Sequence, residues 1–406
     1  MNLYIFNESS RAAVFGIGTY IRELTAALRN SHIKVFVVHL KSDKPQIQTE
    51  EMDGISHLYF PDSEKTPRTT DFKKQNELYY RSVVYLLRLR IEDNRGLIFH
   101  LNYNQSDKLA EELKKKFDCR IIMVVHYSNW GFSIYDNLER LRNILKEGKP
   151  EENFKKSIEE EKSYYSNVDR VVCLSNYMQE ILCSDYKIDV KKISVISNGL
   201  TDIAESKTTV NDLRKKWNLP IREKIILFVG RMDEVKGLAY LLKAFREVLQ
   251  FFPKCRLVIA GNGSYDRYTK ESQDICTHII YTGLLEKDQL YEWYRIADMG
   301  IVPSLFEPFG YVAVEMMMHE LPIVATVTSG LNEVVDETCG LKVPLTIHPE
   351  SVEIDTTLLA EKILYMLQHP AEARKMGRNG RKKYLKEYSS EVFRQNMFQF
   401  YESLYQ

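Results

Sequence analysis

Residues 224–245 read KIILFVGRMDEVKGLAYLLKAF: an apolar run closed by Gly230, a polar loop, then a segment from Gly237 with apolar residues at helical spacing. A short unbroken apolar run is the pattern of a strand buried on both faces, and its continuation through a loop into a helix makes one α/β unit. The same unit recurs in both directions. Downstream come CRLVIAG (255–261), HIIYTG (278–283), MGIVPS (299–304) and LPIVAT (321–326). Upstream come LYIF (3–6), KVFVVHL (34–40), LIFHL (97–101), RIIMVVH (120–126), RVVCLS (170–175) and ISVIS (193–197), with amphipathic segments such as TYIRELTAALRN (19–30) and DKLAEELKKKF (107–117) between most of them.

This alternation predicts an α/β protein of two Rossmann-like, doubly wound domains facing a central cleft. The series break at Asn198-Gly199, which reads first as a turn and divides the chain into 1–198 and 199–389. The C-terminal segment 390–406 carries an apolar stripe through Val392, Phe393, Met397, Phe400 and Leu404, so it should pack back on the first domain. Residues 127–167 are long for a strand-to-strand connection and hold Trp130 and Phe132 near their start.

Composition narrows the function. Fifty-six basic residues balance 56 acidic ones, leaving no global field to attract nucleic acid or an acidic membrane surface. The six cysteines are scattered with no metal-ligand spacing, which suits reduced core thiols in a cytoplasmic protein. No signal peptide and no membrane span is expected from the start MNLYIFNESS or from any apolar window.

Open α/β sheets bind ligands at the carboxyl ends of their strands, so the residues just after each run carry the chemistry. In the opening stretch Arg231 and Lys236 follow a strand and Gly237 opens a helix. The two readings are a cationic pocket for a phosphate and an ordinary solvated loop. Gly16 and Gly18 in FGIGTYIRELTAAL (15–28) suit backbone approach to a phosphate or sugar, or a plain tight turn. His126 ends a strand, where it can donate to a sugar hydroxyl or a developing charge; alone it is more often structural. Gly261, Gly263 and Gly283 read first as turns. The stretch SLFEPFGYVAVEMMMHELPIVAT (304–326) sets Glu307 and Glu315 on either side of Gly310 at a helix start. At ~1.5 Å per residue they would stand about 12 Å apart along a helix. That separation suits the two ends of one long ligand: a sugar at Glu307, a diphosphate at the helix start and a ribose at Glu315.

With these residues assembled, the chain resembles the family 4 glycosyltransferases of the GT-B architecture over nearly its whole length. The family's E-x7-E motif matches Glu307 to Glu315, its G-R-x4-K-G matches GRMDEVKG (230–237), and its N-G hinge matches Asn198-Gly199. The resemblance implies a retaining enzyme that moves a sugar from a nucleotide-diphosphate sugar to a hydroxyl acceptor. Arg231 and Lys236 would hold the diphosphate and Glu315 the ribose. Glu307 and the backbone of Phe309 and Gly310 would hold the transferred sugar, which His126 reaches from the other domain. Gly16, Gly18, Asn198, Gly230 and Gly261 complete the donor-binding set. No Asp-x-Asp occurs, so no metal or other cofactor is expected. The acceptor stays open among glycan, lipid-linked sugar, small molecule and peptide, as does peripheral contact with a membrane. The opening residues also look like a bacterial subgroup associated with radical-SAM peptide modification. The alternatives are another GT-B enzyme, such as a nucleotide-sugar epimerase or a phosphorylase, and a non-catalytic donor-binding subunit.

Overall fold

A computed structural model describes residues 1–8, 16–29, 31–62, 72–92, 94–102, 107–147, 152–204 and 208–405. The chain divides into two compact units: Met1–Tyr127, Gly148–Gly199 and Ser390–Gln406 form the first, Ser128–Glu147 and Leu200–Ser389 the second.

Among the described residues the first unit holds an eight-stranded sheet in the order β3-β4-β2-β1-β5-β6-β7-β8. Its strands are β1 (Asn2–Glu8), β2 (Lys34–Ser42), β3 (Gln48–Met52), β4 (Ile55–Pro61), β5 (Leu97–Leu101), β6 (Cys119–Val125), β7 (Arg170–Cys173) and β8 (Ile193–Val195). All pair in parallel except β3, which runs antiparallel to β4 on the edge. The central strands match the apolar runs because both of their faces are covered: every residue of β5 is buried. Helix Ser390–Glu402 packs on helix Gly16–Leu28, with Phe393 edge-on to Tyr20 at 5.7 Å between ring centroids.

The second unit holds a seven-stranded sheet in the order β11-β10-β9-β12-β13-β14-β15. It is built from β9 (Lys224–Val229), β10 (Cys255–Ala260), β11 (Ile279–Gly283), β12 (Met299–Val302), β13 (Ile323–Val327), β14 (Gly340–Ile347) and β15 (Val352–Ile354). Only β15 is antiparallel to its neighbour. Its core gathers Ile226, Phe228, Leu241, Phe245, Ile259 and Ile363, where helices Leu238–Phe251 and Thr356–Gln368 cover one face. Asp355 caps the latter helix, accepting from the N–H groups of Thr357 and Leu358.

The sequence reading ran the first domain unbroken to 198, whereas residues 128–147 cluster with the second unit. The reason is local packing. Gly131 has no side chain, and a Cβ there would lie 2.3 Å from the Phe306 ring. Phe132 meets that ring edge-on at 5.0 Å, and Asn137 donates to the His348 carbonyl at 2.8 Å. Trp130, at the start of this segment, is 1% exposed and belongs to the core. Asn198-Gly199 makes no turn: the pair lies in a connection outside the helices and strands, and Gly199 is outside the left-handed region. All six cysteines are free. Among the described residues no helix is long and apolar enough to cross a membrane.

Candidate functional site

The candidate residues of the second unit gather at the carboxyl ends of its strands. Gly230 follows β9, Gly261 follows β10 and Gly283 closes β11. Gly230 donates to the Ala260 carbonyl at 3.0 Å, and Gly261 donates to that of Gly283 at 2.9 Å. The backbones approach so closely that a Cβ on Gly261, whose φ is +147°, would sit 1.9 Å from the Gly230 oxygen. Gly237, at φ +69°, precedes helix Leu238–Phe251, and a Cβ there would fall 1.8 Å from the Pro303 oxygen. That close approach brings the loop carrying Lys236 against the loop after β12, and Leu305 donates to the Val235 carbonyl at 2.7 Å.

The result is an ion pair between two motifs far apart in sequence. Lys236 Nζ lies 2.5 Å from Glu307 Oε2, with the two side chains 20% and 15% exposed. Ser304 Oγ donates to the same carboxylate oxygen at 3.3 Å. Arg231 pairs with Asp233 at 3.0 Å, and Asp233 also accepts from the Lys236 N–H at 3.1 Å. Arg231 and Lys236 therefore each have a carboxylate partner. The Arg231 pair is about a third exposed, and such pairs are worth ~1 kcal/mol or less, so the guanidinium is readily diverted to an anion.

The helix starts between the two acids, as the sequence reading had it, but the spacing reckoned at helical rise does not carry over, because Glu307 precedes the helix. Helix Tyr311–Met318 begins after Gly310, whose φ of +95° bends the chain into it, and Glu307 stands in the preceding loop. Ser329 fixes that loop from both sides, accepting from the Glu307 N–H at 3.1 Å and donating to the Glu307 carbonyl at 3.0 Å. Ser329 itself has φ +33°, a costly conformation for a residue with a side chain. Neighbouring Gly330 lets the chain run against Pro308, where a Cβ would be 1.9 Å from the Pro308 oxygen. Phe309 is buried, edge-on to Tyr311 and Tyr388. The first-turn N–H groups of the helix have no carbonyl of their own helix to pair with, which gives this end its affinity for negative charge.

Glu315 lies within the helix and accepts from the Tyr294 hydroxyl at 2.8 Å. Tyr294 is fully buried on helix Lys287–Ile296, and burial beside the Glu315 charge pushes its phenol well above the ordinary range, so it is a donor at all working pH. His319 Nδ1 donates to the Glu315 carbonyl at 2.8 Å.

The remaining candidates belong to the first unit. Gly16 and Gly18 are in the first turn of helix Gly16–Leu28, and the chain immediately before them lies outside the described residues. Asn198 is 2% exposed. His126 follows β6, and its Nε2 donates to Asn102 Oδ1 at 2.9 Å. The Tyr20 ring meets the imidazole edge-on at 4.8 Å. Desolvation pushes its pKa down to about 3, so the ring is neutral at physiological pH. Asp233, Ser329, Tyr294 and Asn102 were not anticipated. Only Asp233 carried a signal, since it sits between the two cations.

The first half of the chain, residues 14–202, matches the family described as Glycosyltransferase Family 4, and residues 209–383 match Glycosyl transferases group 1. An uncharacterized glycosyltransferase of Methanocaldococcus jannaschii is 33% identical over 176 residues, 41% of this chain and 44% of that protein. The alpha-monoglucosyldiacylglycerol synthase of Streptococcus pneumoniae is 25% identical over 353 residues, 83% of this chain and 74% of that one. Among solved structures, sucrose-phosphate synthase from Thermosynechococcus elongatus superposes with a TM-score of 0.78 at 23% identity, covering 100% of this chain and 99% of that one. Anabaena HepE in complex with UDP-glucose gives 0.71 at 15% identity, covering 99% and 100%. At these identities the structures speak for the fold, which is GT-B with two Rossmann-like domains. The chain is a glycosyltransferase. Within that class, its first half matches the family 4 model and its second half the group 1 model.

Proposed function

We propose that the protein transfers a sugar from a nucleotide-diphosphate sugar to a hydroxyl acceptor, with retention at the anomeric carbon and without a metal ion. The observation that carries the reading is the Lys236–Glu307 pair beside a helix N-terminus, with Arg231 in the same loop and Glu315 in the second turn of that helix. A ligand with two negative phosphates needs cations and a helix start, and one with sugars at both ends needs a carboxylate at each. In this reading Arg231 and Lys236 take the diphosphate, Glu315 the ribose, and Glu307 with the Phe309 and Gly310 backbone the transferred sugar. His126 contacts that sugar too, Gly230 and Gly261 give the backbone room, and Gly16, Gly18 and Asn198 serve donor binding from the first unit. The nucleotide sugar in the HepE complex is in keeping with this choice of donor.

In the chemical step the bond from the anomeric carbon to the diphosphate oxygen breaks, and a bond to the acceptor oxygen forms on the same face. The acceptor proton passes to the departing phosphate oxygen. The protein's contribution is positioning and charge: Lys236, Arg231 and the helix N-terminus stabilise the negative charge that grows on the leaving group. The reaction is placed in the cytoplasm, with the acceptor a glycan, a lipid-linked sugar, a small molecule or a peptide.

The test is a thermal-shift screen of nucleoside diphosphates, then transfer assays with the matching nucleotide sugars and acceptor pools in the presence of a chelator. A binder at 100 times its dissociation constant should add ~2.7 kcal/mol of stability. Product whose anomeric proton coupling matches the donor supports the reading. Inverted product, activity abolished by the chelator, or epimerised donor formed without any acceptor overturns it.

A further inference from the structure

The carbonyl of Phe6, at the end of β1, settles the protonation of a side chain two strands away. It can only accept, and Asn102 reaches it with Nδ2 at 3.0 Å, so the amide of Asn102 is oriented with Oδ1 on its other side. There Oδ1 faces His126 Nε2 at 2.9 Å, and a carbonyl oxygen must be met by a proton. His126 therefore carries its hydrogen on Nε2. Asn102 is 2% exposed at the end of β5, in the row of strand ends formed by β1, β5 and β6, so it has no freedom to turn over. Tyr20 packs edge-on against the imidazole and sends its hydroxyl to His100 rather than to His126.

We propose that Asn102 is a positioning residue: it holds His126 in the tautomer whose Nδ1 lone pair receives a hydrogen bond from a hydroxyl of the transferred sugar. The inference rests on the reading of His126 as a sugar contact. It reverses the polarity expected of a histidine at a strand end, because the nitrogen that would donate to a sugar or a developing charge is committed to Asn102. A neutral ring fits that role, since an imidazolium would present a proton where a lone pair is wanted. His100 is the titratable neighbour, and its own burial between the Tyr20 and Tyr401 hydroxyls keeps it neutral as well.

The experiment uses full-length protein labelled with nitrogen-15 in histidine, His126→Gln serving to assign the resonance, together with Asn102→Leu and Asn102→Asp. Wild type should show His126 as the Nε2-protonated tautomer across pH 5 to 8. Asn102→Leu should mix the tautomers and lower kcat at least tenfold, with nucleoside diphosphate affinity within twofold of wild type. Asn102→Asp should protonate both nitrogens and give a kcat that rises with pH as the ring loses its charge. A wild-type ring protonated on Nδ1 overturns the proposal, as does an Asn102→Leu enzyme with mixed tautomers and kcat within twofold of wild type. If Asn102→Leu does not fold, the wild-type spectrum and the Asn102→Asp profile decide. Undiminished transfer by His126→Ala, with the wild-type tautomer as described, removes the sugar-contact reading itself and the functional role of Asn102 with it.

Discussion

Replacing Lys236 by alanine should cost stability and catalysis by different amounts, and a double-mutant cycle with Glu307 separates them. Lys236 Nζ and Glu307 Oε2 are 2.5 Å apart and both side chains are mostly buried. Exposed pairs contribute ~0 to 1 kcal/mol, whereas removing one member of a fully buried pair costs ~3 to 5 kcal/mol. At this intermediate burial the loss should be about 1 to 2 kcal/mol for either single variant, because each leaves a charge without its partner. The double variant should lose less than the sum, with a coupling of roughly 1 kcal/mol read from urea midpoints. Transfer should respond more strongly. Losing a charge-assisted contact to the leaving group raises the barrier by ~2 to 4 kcal/mol, which is a fall of about 30-fold to 1000-fold in rate. Nucleoside diphosphate affinity should drop in Lys236→Ala and hold in Glu307→Ala. Additive stabilities would mean that the pair is not coupled, and an unchanged diphosphate affinity in Lys236→Ala would refute the leaving-group assignment.

Glu315→Gln should weaken nucleoside diphosphate binding measured by calorimetry, while Glu307→Gln should leave it nearly unchanged and lose turnover; equal losses would contradict an extended ligand. Gly237→Ala should destabilise the second unit by more than ~2 kcal/mol, since the left-handed backbone and the Pro303 oxygen both oppose a Cβ. A melting temperature within a degree of wild type would count against that close approach. The fully buried His100 has its pKa pushed down to about 3 by burial, below its unfolded value of ~6.5. The unfolded chain thus binds the extra proton between those values, and the stability it confers, complete above the unfolded pKa, is lost as pH falls. From pH 7 to pH 5 that amounts to ~2 kcal/mol, which should be missing from the urea-denaturation profile of His100→Gln.

How much of this could be read from the residues follows from burial. Strands such as β5 and β9 are buried along most of their length, so nearly every position is apolar and the run announces itself. The edges carry no such demand: β3 is QTEEM with mostly exposed side chains, and β14 includes exposed positions and Pro344. Neither was anticipated, nor was β4 or β15. At the site, the glycines and the charged loop were legible because their chemistry is local. The course of the loop that carries Glu307 was not legible, because the strand-to-helix turn through Pro308 and Gly310 is set by Ser329 and Gly330, some twenty residues on. Tyr294 and Asn102 were invisible for the same reason: each acts on a partner more than twenty positions away that the topology alone delivers.

The return of the last helix to the first unit bears on how the chain is made. As the polypeptide leaves the ribosome, the strands of the first unit appear early, yet the hydroxyl of Tyr401 that meets His100, and the Phe393 ring against Tyr20, follow only after residues 200–389 have been translated. Until then the face of helix Gly16–Leu28 that they cover has no mate. The second unit, whose residues 200–389 emerge as one block, must wait only for the already synthesised stretch 128–147 to find it. Domains generally fold as units in order of synthesis. Here the order is inverted: the later-made unit can be completed while the earlier one still awaits helix Ser390–Glu402.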